Sequence, residues 1–412
     1  MKKIIRICLF IRILGCWSTL SAQSLDELLA VAAENNLELK ALYQEYLSAL
    51  EKAPQVSELP DPEVGAGLFV LPPETRVGPQ WVRVGATQMF PWKGTLKTRE
   101  DVVLAMAKAK YERIEAAQLD LFFQIKRAYF QLYDLAESQI IIQQNVRIFQ
   151  SMERFALSKV ASGKGSSADV LRIQLKIQEL EKELSLLENQ KDKPLAVINQ
   201  VLNRRPNTPV SISDTLSLAA IPFNRDTLAD NIQANHPMIR FYSTQQEASR
   251  KALELNELEG KPSFGVGLDY IMVGRRNDVE ISGNGKDIVM PRASIKIPLY
   301  RKKYSAKERE EELKIAALEN QKKDIQSKFI SAIDQAYTDQ QDATIRIEMY
   351  DTLKETTQAA IDILETDYST AGRNFDELLR LQIDLVNYDL KILKAIVQSH
   401  IAKAAIERFI IR

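Results

Sequence analysis

Residues 82–96 read VRVGATQMFPWKGTL, and the stretch changes character halfway. Its first half alternates between apolar and polar side chains, which is typical of a β-strand. Its second half contains Phe90, Pro91 and Trp92, and no glycine or proline follows between residues 95 and 162. Pro91 lacks an N–H group and can therefore end a strand ladder. The stretch predicts a strand that leads directly into a very long helix over 95–161.

Short motifs of the first half of the chain recur in the same order in the second half, which indicates an internal duplication. The recurring pairs are PEVGAGL (62–68) with PSFGVGL (262–268), FPW (90–92) with IPL (297–299), AY (128–129) with AY (336–337), and DVLRIQ (169–174) with ELLRLQ (377–382). We therefore expect a first structural repeat over 23–203, an equatorial linker over 204–226 and a second repeat over 227–412.

The first residues have the features of a secretory signal peptide, expected over 1–22. Lysine and arginine precede an apolar run, which ends in the small residues of Leu-Ser-Ala at 20–22. The sequence Ile-Leu-Gly-Cys at 13–16 also fits a lipobox, which would make Cys16 a lipidated N-terminus. Both possibilities predict export from the cytosol, and lipidation of Cys16 remains open.

The composition argues against several classes of function. Lys+Arg and Asp+Glu both number 55, so the formal net charge is zero and nothing favours a nucleic-acid partner. Beyond the two N-terminal cysteines, the sequence has only two histidines, His236 and His400, so a zinc or copper site of the usual type would lack its ligands. His236 precedes Pro237 at an expected helix kink. No Walker A, dinucleotide-binding or nucleophile-elbow motif is present. We expect no enzyme, no cofactor and no metal site.

Helical patterns dominate each repeat. The expected helices are 26–53, 95–161, 169–203, 227–256, 302–369 and 375–410. At a rise of about 1.5 Å per residue the long helices reach roughly 100 Å, which exceeds any globular core. Apolar residues follow alternating four- and three-residue steps in the return helices, for example Ile173, Ile177, Leu180, Leu184 and Leu187. This spacing predicts coiled-coil packing.

Each repeat also contains a pair of strands with one apolar face and one polar, glycine-rich face. The expected strands are 62–71, 81–91, 262–272 and 288–298. Such strands fit a transmembrane β-barrel, although a soluble sheet with one buried face gives the same pattern. A barrel needs at least about eight strands to leave no open edge in lipid, so one chain would have to share it with other copies.

Proline and aromatic residues mark the end of the second strand in each repeat. In the barrel interpretation they form a swivel at the membrane interface, where aromatic rings lie at headgroup depth. These residues are Phe90, Pro91, Trp92, Pro298 and Tyr300.

With the repeat, the strand pairs and the pattern PDP (60–62) followed by QMFPWKG (88–94), the sequence resembles the TolC family of outer-membrane efflux proteins over residues 24–412. The resemblance implies a mixed α and β membrane protein: a homotrimer whose chains each contribute four strands to a shared 12-stranded β-barrel, continued by a long α-helical barrel in the periplasm. It also implies an outer-membrane location and a role as the passive exit duct of a tripartite efflux system. The implied partners are outer-membrane lipid, a periplasmic adaptor and an inner-membrane pump of the resistance-nodulation-division type. The cargo, small molecules such as drugs or metal cations, remains open, as does the resting state.

The resemblance further implies that the turns between long and return helices are periplasmic tips, which contact the adaptor and narrow the entrance. The gate candidates it carries over are Tyr368, Arg373, Asp376, Glu377 and Arg380, although the best-known member has an acid near the position of Arg380. The adaptor-contact candidates are Gly163, Gly165, Asp169, Leu171, Arg172, Gly372, Leu378 and Leu379. The alternative for the charged residues is a solvated helix end with ordinary ion pairs.

Two other classes of protein compete with the duct. A periplasmic coiled-coil adaptor also has helical hairpins, and a coiled-coil scaffold without a channel would need no strands. Two hairpins that each follow an amphipathic strand pair favour the duct over both alternatives.

Overall fold

The computed structural model describes residues 24–212, 215–371 and 374–410. The elements of the first half are α1 (Leu25–Asn35), α2 (Leu37–Leu50), α3 (Lys52–Ser57), β1 (Glu63–Leu68), β2 (Glu74–Thr75), β3 (Gly78–Phe90), α4 (Thr95–Ala161), α5 (Ser167–Gln190) and α6 (Asp192–Val201). Those of the second half are α7 (Arg225–Asn235), α8 (Pro237–Glu259), β4 (Ser263–Val273), β5 (Ile288–Lys296), α9 (Lys302–Ala371) and α10 (Phe375–Glu407). Leading helices, strands, a long helix and a return helix follow in this order in both halves. The expected signal peptide, with Cys16, lies outside the described residues.

Three of the expected helices are interrupted, and the one expected over 227–256 is divided into α7 and α8 at His236, beside the expected kink. The helix expected over 26–53 is divided into α1, α2 and α3, with the first break at Asn36. The Asn36 side chain accepts a hydrogen bond from the Leu39 N–H at 3.0 Å and donates one to the Val201 carbonyl at 3.0 Å. An asparagine side chain that bonds the backbone in this way competes with the helix and begins a new one. The return helix expected over 169–203 is likewise divided, at Lys191.

The chain forms two compact units, which we name for their contents. The hairpin unit comprises Met1–Lys40, Ala116–His236 and Ser327–Arg412, and the sheet unit comprises Ala41–Glu115 and Pro237–Gln326. The two units are described separately below.

The core of the hairpin unit lies along α5 and α10. Ile173, Ile177, Leu180 and Leu187 of the expected coiled-coil seam are all buried, and they share one apolar cluster with residues of α4, α9 and α10. Phe149 of α4 is fully buried in this cluster. Burial of apolar surface stabilises such a core by about 25 cal/mol per Å². The seam is therefore structural and carries no chemistry.

The sheet unit contains an antiparallel sheet with the strand order β1-β3-β4-β5, and β2 pairs with β3 beside it. Apart from an irregularity between Gln80 and Val82 of β3, the register is continuous across all four long strands: Val64 lies opposite Ala86, Ala86 opposite Leu268, and Leu268 opposite Pro291. Side chains of successive residues point to opposite faces of a sheet, so this register keeps the apolar and polar faces separate. In the described part of the chain, β1 and β5 each pair with one strand only and form the two edges.

Candidate functional site: a two-faced sheet and two hairpin tips

One face of the sheet presents large apolar side chains to the surroundings. Leu68 is 78% exposed, Val266 is 62% exposed and Ile295 is 60% exposed. Other large exposed side chains of this face are Val64, Val84, Phe90, Phe264, Leu268, Tyr270, Met272 and Val289. Soluble proteins rarely expose so continuous an apolar surface, so this face is built to contact lipid or a protein partner.

The opposite face holds a cluster of charged and polar side chains around Asp269. Arg83 Nη2 donates a hydrogen bond to Asp269 Oδ2 at 2.6 Å, and Arg292 Nε lies 3.6 Å from the same oxygen. Arg292 Nη2 also donates to Thr87 Oγ1 at 2.5 Å. Because two guanidinium groups cover it, the Asp269 side chain is only 1% exposed.

Glycines make room for this cluster. A Cβ atom on Gly85 would lie 2.1 Å from Asp269 Oδ1, and one on Gly267 would lie 2.8 Å from Thr87 Oγ1. The charged side chains therefore lie across the sheet instead of standing up from it. They border a cavity of about 350 Å³ whose floor includes Gly65 and Gly67.

The predicted swivel residues lie at the end of a strand or in the short connection to the following long helix. β3 ends at Phe90 and α4 begins at Thr95. The Trp92 ring packs against Phe264 with centroids 6.0 Å apart, and the Lys261 ammonium lies 5.7 Å from the Trp92 ring. Of the remaining predicted swivel residues, Pro91 and Pro298 are half-buried and Tyr300 is exposed. A ring with a neighbouring cation suits a membrane interface, but this role stays a prediction.

At the first hairpin tip, the turn between α4 and α5 depends on glycine. Gly163 has a φ of +71°, a left-handed conformation that glycine adopts without strain. A Cβ atom on Gly165 would lie 2.8 Å from the Lys159 Cβ. Ser166 then begins α5, because its side chain accepts a hydrogen bond from the Ala168 N–H at 3.1 Å.

Charged residues join the two hairpins at their tips. Arg172 of α5 forms an ion pair with Asp376 of α10, and Arg172 Nη1 also lies 3.3 Å from Asp169 Oδ1. Burial raises the pKa of the Asp169 carboxyl, and the negative charge of Asp376 raises it further against the lowering effect of Arg172. Lys159 Nζ adds a second link by donating to the Ser369 carbonyl at 2.5 Å. Sequence reasoning missed Lys159, and no local pattern distinguishes it from other exposed lysines.

Tyr368 is the most buried of the gate candidates that the structure describes. It is 1% exposed, and its ring contacts Phe155 and Phe375 at centroid distances of 5.7 and 5.0 Å. Among the described residues its hydroxyl has no hydrogen-bond partner. Burial raises the pKa of this hydroxyl, and the charge of Asp169 adds to the effect. The predicted gate residue Arg373 and the predicted tip residue Gly372 lie outside the described residues.

The remaining predicted tip residues on α5 and α10 differ in their exposure and in their contacts. Glu377 and Arg380 face each other on α10, with Arg380 Nη2 3.9 Å from Glu377 Oε1, so this pair does not join the hairpins. Leu171 is 60% exposed and available to a partner. Leu378 and Leu379 are instead buried in the apolar core of the hairpin unit, so in this chain they stabilise the tip from inside.

The described residues contain no group of three or more His, Cys, Asp or Glu side chains placed to hold a metal ion. Among the described helices, none has the length and apolar character that crossing a membrane requires.

Residues 28–204 match the model of a protein family described as "Outer membrane efflux protein". The match covers 177 of the 412 residues, all of them in the first half of the chain. The match supports the expected resemblance to outer-membrane efflux proteins. Comparison with curated protein sequences gave no match.

Solved structures of outer-membrane proteins share the fold of this chain. The outer-membrane channel OprN matches with a TM-score of 0.73 at 17% identity, over 93% of this chain and 89% of that chain. MtrE of Neisseria gonorrhoeae, solved in its open state, matches with a TM-score of 0.72 at 14% identity, over 94% and 88% of the two chains. The outer membrane protein VceC of Vibrio cholerae matches with a TM-score of 0.73 at 14% identity, over 93% and 95%. These likenesses confirm the coarse fold class, a mostly helical chain with antiparallel strands.

Proposed function

We propose that this chain is the passive exit duct of a tripartite efflux system, in which three copies share one 12-stranded barrel in the outer membrane. Long α-helices would continue the barrel into the periplasm. A periplasmic adaptor and an inner-membrane pump of the resistance-nodulation-division type would drive transport, and the duct itself would supply no energy.

The observation that carries the proposal is the sheet with an exposed apolar face and two open edges. In water, an apolar face of this size is unfavourable. In lipid, unpaired backbone groups along β1 and β5 would each cost several kcal/mol. Only a closed assembly of several copies places the apolar face in lipid and also pairs every edge.

The strand order supports closure by identical copies. The four long strands are antiparallel to their neighbours, so β1 and β5 run in opposite directions. Thus β5 of one copy can pair in antiparallel fashion with β1 of the next, and every copy presents the same two edges. Such a head-to-tail interface closes into a ring when each copy is rotated by one third of a turn relative to the last.

The hairpin tips support a role in contacting the adaptor and closing the entrance. The ion pair of Arg172 with Asp376 and the hydrogen bond of Lys159 hold the two hairpins of one chain together. If they must separate for the entrance to open, these contacts oppose opening. Leu171 offers an exposed apolar side chain for the adaptor.

The residues of the polar face and of the tips are compatible with more than one cargo, since both small organic molecules and metal cations fit a passive duct. The pump would then select the cargo, since a duct that only conducts needs no specific binding site.

Two adjacent residues provide a sharp test of the membrane assignment. Ile295 lies on the apolar face and is 60% exposed, whereas Ser294 lies on the polar face. A lipid-facing lysine costs about 2–4 kcal/mol near the bilayer midplane and about 0–1 kcal/mol near the interface. Ile295→Lys, toward the swivel end of β5, should carry a cost between these limits, while Ser294→Lys would face water inside the barrel. On a soluble sheet, lysine at the exposed position 295 would be harmless.

The measurement is the protein mass of detergent-extracted chains, by light scattering, after membrane fractions have been separated. We expect a mass about three times that of the mature chain in the outer-membrane fraction. Ser294→Lys should retain this trimer, and Ile295→Lys should reduce its yield. A soluble monomer, or equal yields of both variants, would refute the proposal.

A further inference from the structure

The polar face of the sheet carries an excess of positive charge. Its charged strand residues are Glu63, Arg83, Asp269, Arg292 and Lys296, and the register places all five on the face that bears Gly65 and Gly85. Three of these side chains are cationic and two are anionic, so each copy of the sheet has a net charge of +1 on this face.

The positive groups are also more accessible than the central negative one. The side chains of Arg83 and Arg292 are 39% and 41% exposed, against 1% for Asp269. A solute on this face therefore meets guanidinium groups first, and the carboxylate of Asp269 serves to hold them in place. Arg292 is fixed further by its hydrogen bond to Thr87.

Glu63 does not cancel this arrangement. It lies on the edge strand β1, in register with Thr87 on β3 and, through Gly267 on β4, with Arg292 on β5. Within one chain, with strands about 4.8 Å apart, three strand spacings separate Glu63 from Arg292, which is more than a Debye length at 0.1 M salt. In the closed ring, β1 of the next copy pairs with β5 and brings its Glu63 nearer, but this one negative charge is already counted in the excess of +1 per copy.

We propose that Arg83 and Arg292 of three copies form a cationic belt on the inner wall of the duct and that this belt favours the passage of anionic small molecules over free cations. The inference rests on the proposed function, since the polar face lines a channel only if the copies close the barrel. Low-dielectric walls concentrate the field of charges that line a narrow passage, so a modest excess of charge biases which ions enter.

The test is ion selectivity of the full-length trimer in a planar lipid bilayer, read from the reversal potential in a KCl gradient. Arg292→Gln removes three positive charges from the belt of a trimer. We expect the chloride-to-potassium permeability ratio to fall about twofold near 0.1 M salt and by less at 1 M, because salt screens the belt. Lys296→Gln, which leaves both arginines in contact with Asp269, should shift the ratio in the same direction.

Arg275→Gln is the matched control, because it removes the same charge from an exposed residue of the loop between β4 and β5. Its permeability ratio should equal that of the unmodified protein. Conducting trimers in which Arg292→Gln and Lys296→Gln both leave the ratio unchanged, or in which Arg275→Gln shifts it equally, would overturn the belt and leave the duct intact. A protein that forms no conducting trimer would refute the proposed function and the belt together.

Discussion

Opening of the duct entrance should depend on Arg172, which contacts acids on both hairpins of one chain. Its ion pair with Asp376 joins α5 to α10, while Asp169 lies beside it on its own helix. The side chains of Arg172 and Asp376 are 50% and 69% exposed. Exposed ion pairs contribute about 0.2–1 kcal/mol, so losing this pair should raise the open-to-closed ratio about 1.4- to 5-fold per chain.

The two single variants should differ in a definite order. Arg172→Gln removes the attraction and leaves Asp169 facing Asp376, whose charges repel each other across the two hairpins. Asp376→Asn removes the same attraction but also removes that repulsion, which contributes to the raised pKa of Asp169. Arg172→Gln should therefore open the duct more than Asp376→Asn, and the difference should shrink at high salt.

Single-channel recording in planar bilayers measures the open fraction directly, at 0.1 M and 1 M KCl. The pair of Lys176 and Glu179 supplies the control, because it carries the same charges within α5 and does not join the hairpins. Lys176→Gln and Glu179→Gln should leave the open fraction nearly unchanged. The reasoning fails if these controls open the duct as much as Arg172→Gln, or if Asp376→Asn has the larger effect.

Three further outcomes follow from burial and close contacts. Gly85→Ala should weaken the sheet, because the added Cβ would lie 2.1 Å from Asp269 Oδ1. Gly65→Ala is the control, because a Cβ there would have nothing within 4 Å. The temperature at which the trimer dissociates on gels should fall for Gly85→Ala only. Burial raises the pKa of Asp134 above its usual 3.8, so its ionised form destabilises the fold. Asp134→Asn should raise the melting temperature at pH 7. This gain should vanish as the pH falls below 3.8, because Asp134 is then protonated in both the folded and the unfolded chain. A gain in melting temperature that persists at low pH would contradict this cause. Leu171→Asp should reduce crosslinking to the adaptor without changing single-channel conductance, and unchanged crosslinking would remove Leu171 from the contact surface.

Helices and strands with a long, regular alternation of apolar and polar residues could be predicted from the sequence. The helix expected over 95–161 has those same limits in the structure, and no glycine or proline interrupts it. The faces of the four long strands are likewise readable from alternation, because the side-chain period of a strand is two residues.

Features that depend on distant residues could not be read in this way. The break at Asn36 depends on a hydrogen bond to Val201, and the link between the hairpins depends on Arg172 and Asp376, 204 positions apart. Periodicity showed that Asp269 lies on the polar face, but only the register across three strands shows that two arginines cover it.

The two open edges of the sheet also have a genetic consequence. If every copy must pair with both neighbours, a chain that folds but has a damaged β1 or β5 still offers one good edge and enters the ring. Cells that make normal and damaged chains in equal amounts would assemble about one trimer in eight from normal chains alone, if the chains mix at random. Mutations on the edge strands should therefore act as dominant ones, whereas a mutation that prevents the chain from folding at all should be recessive.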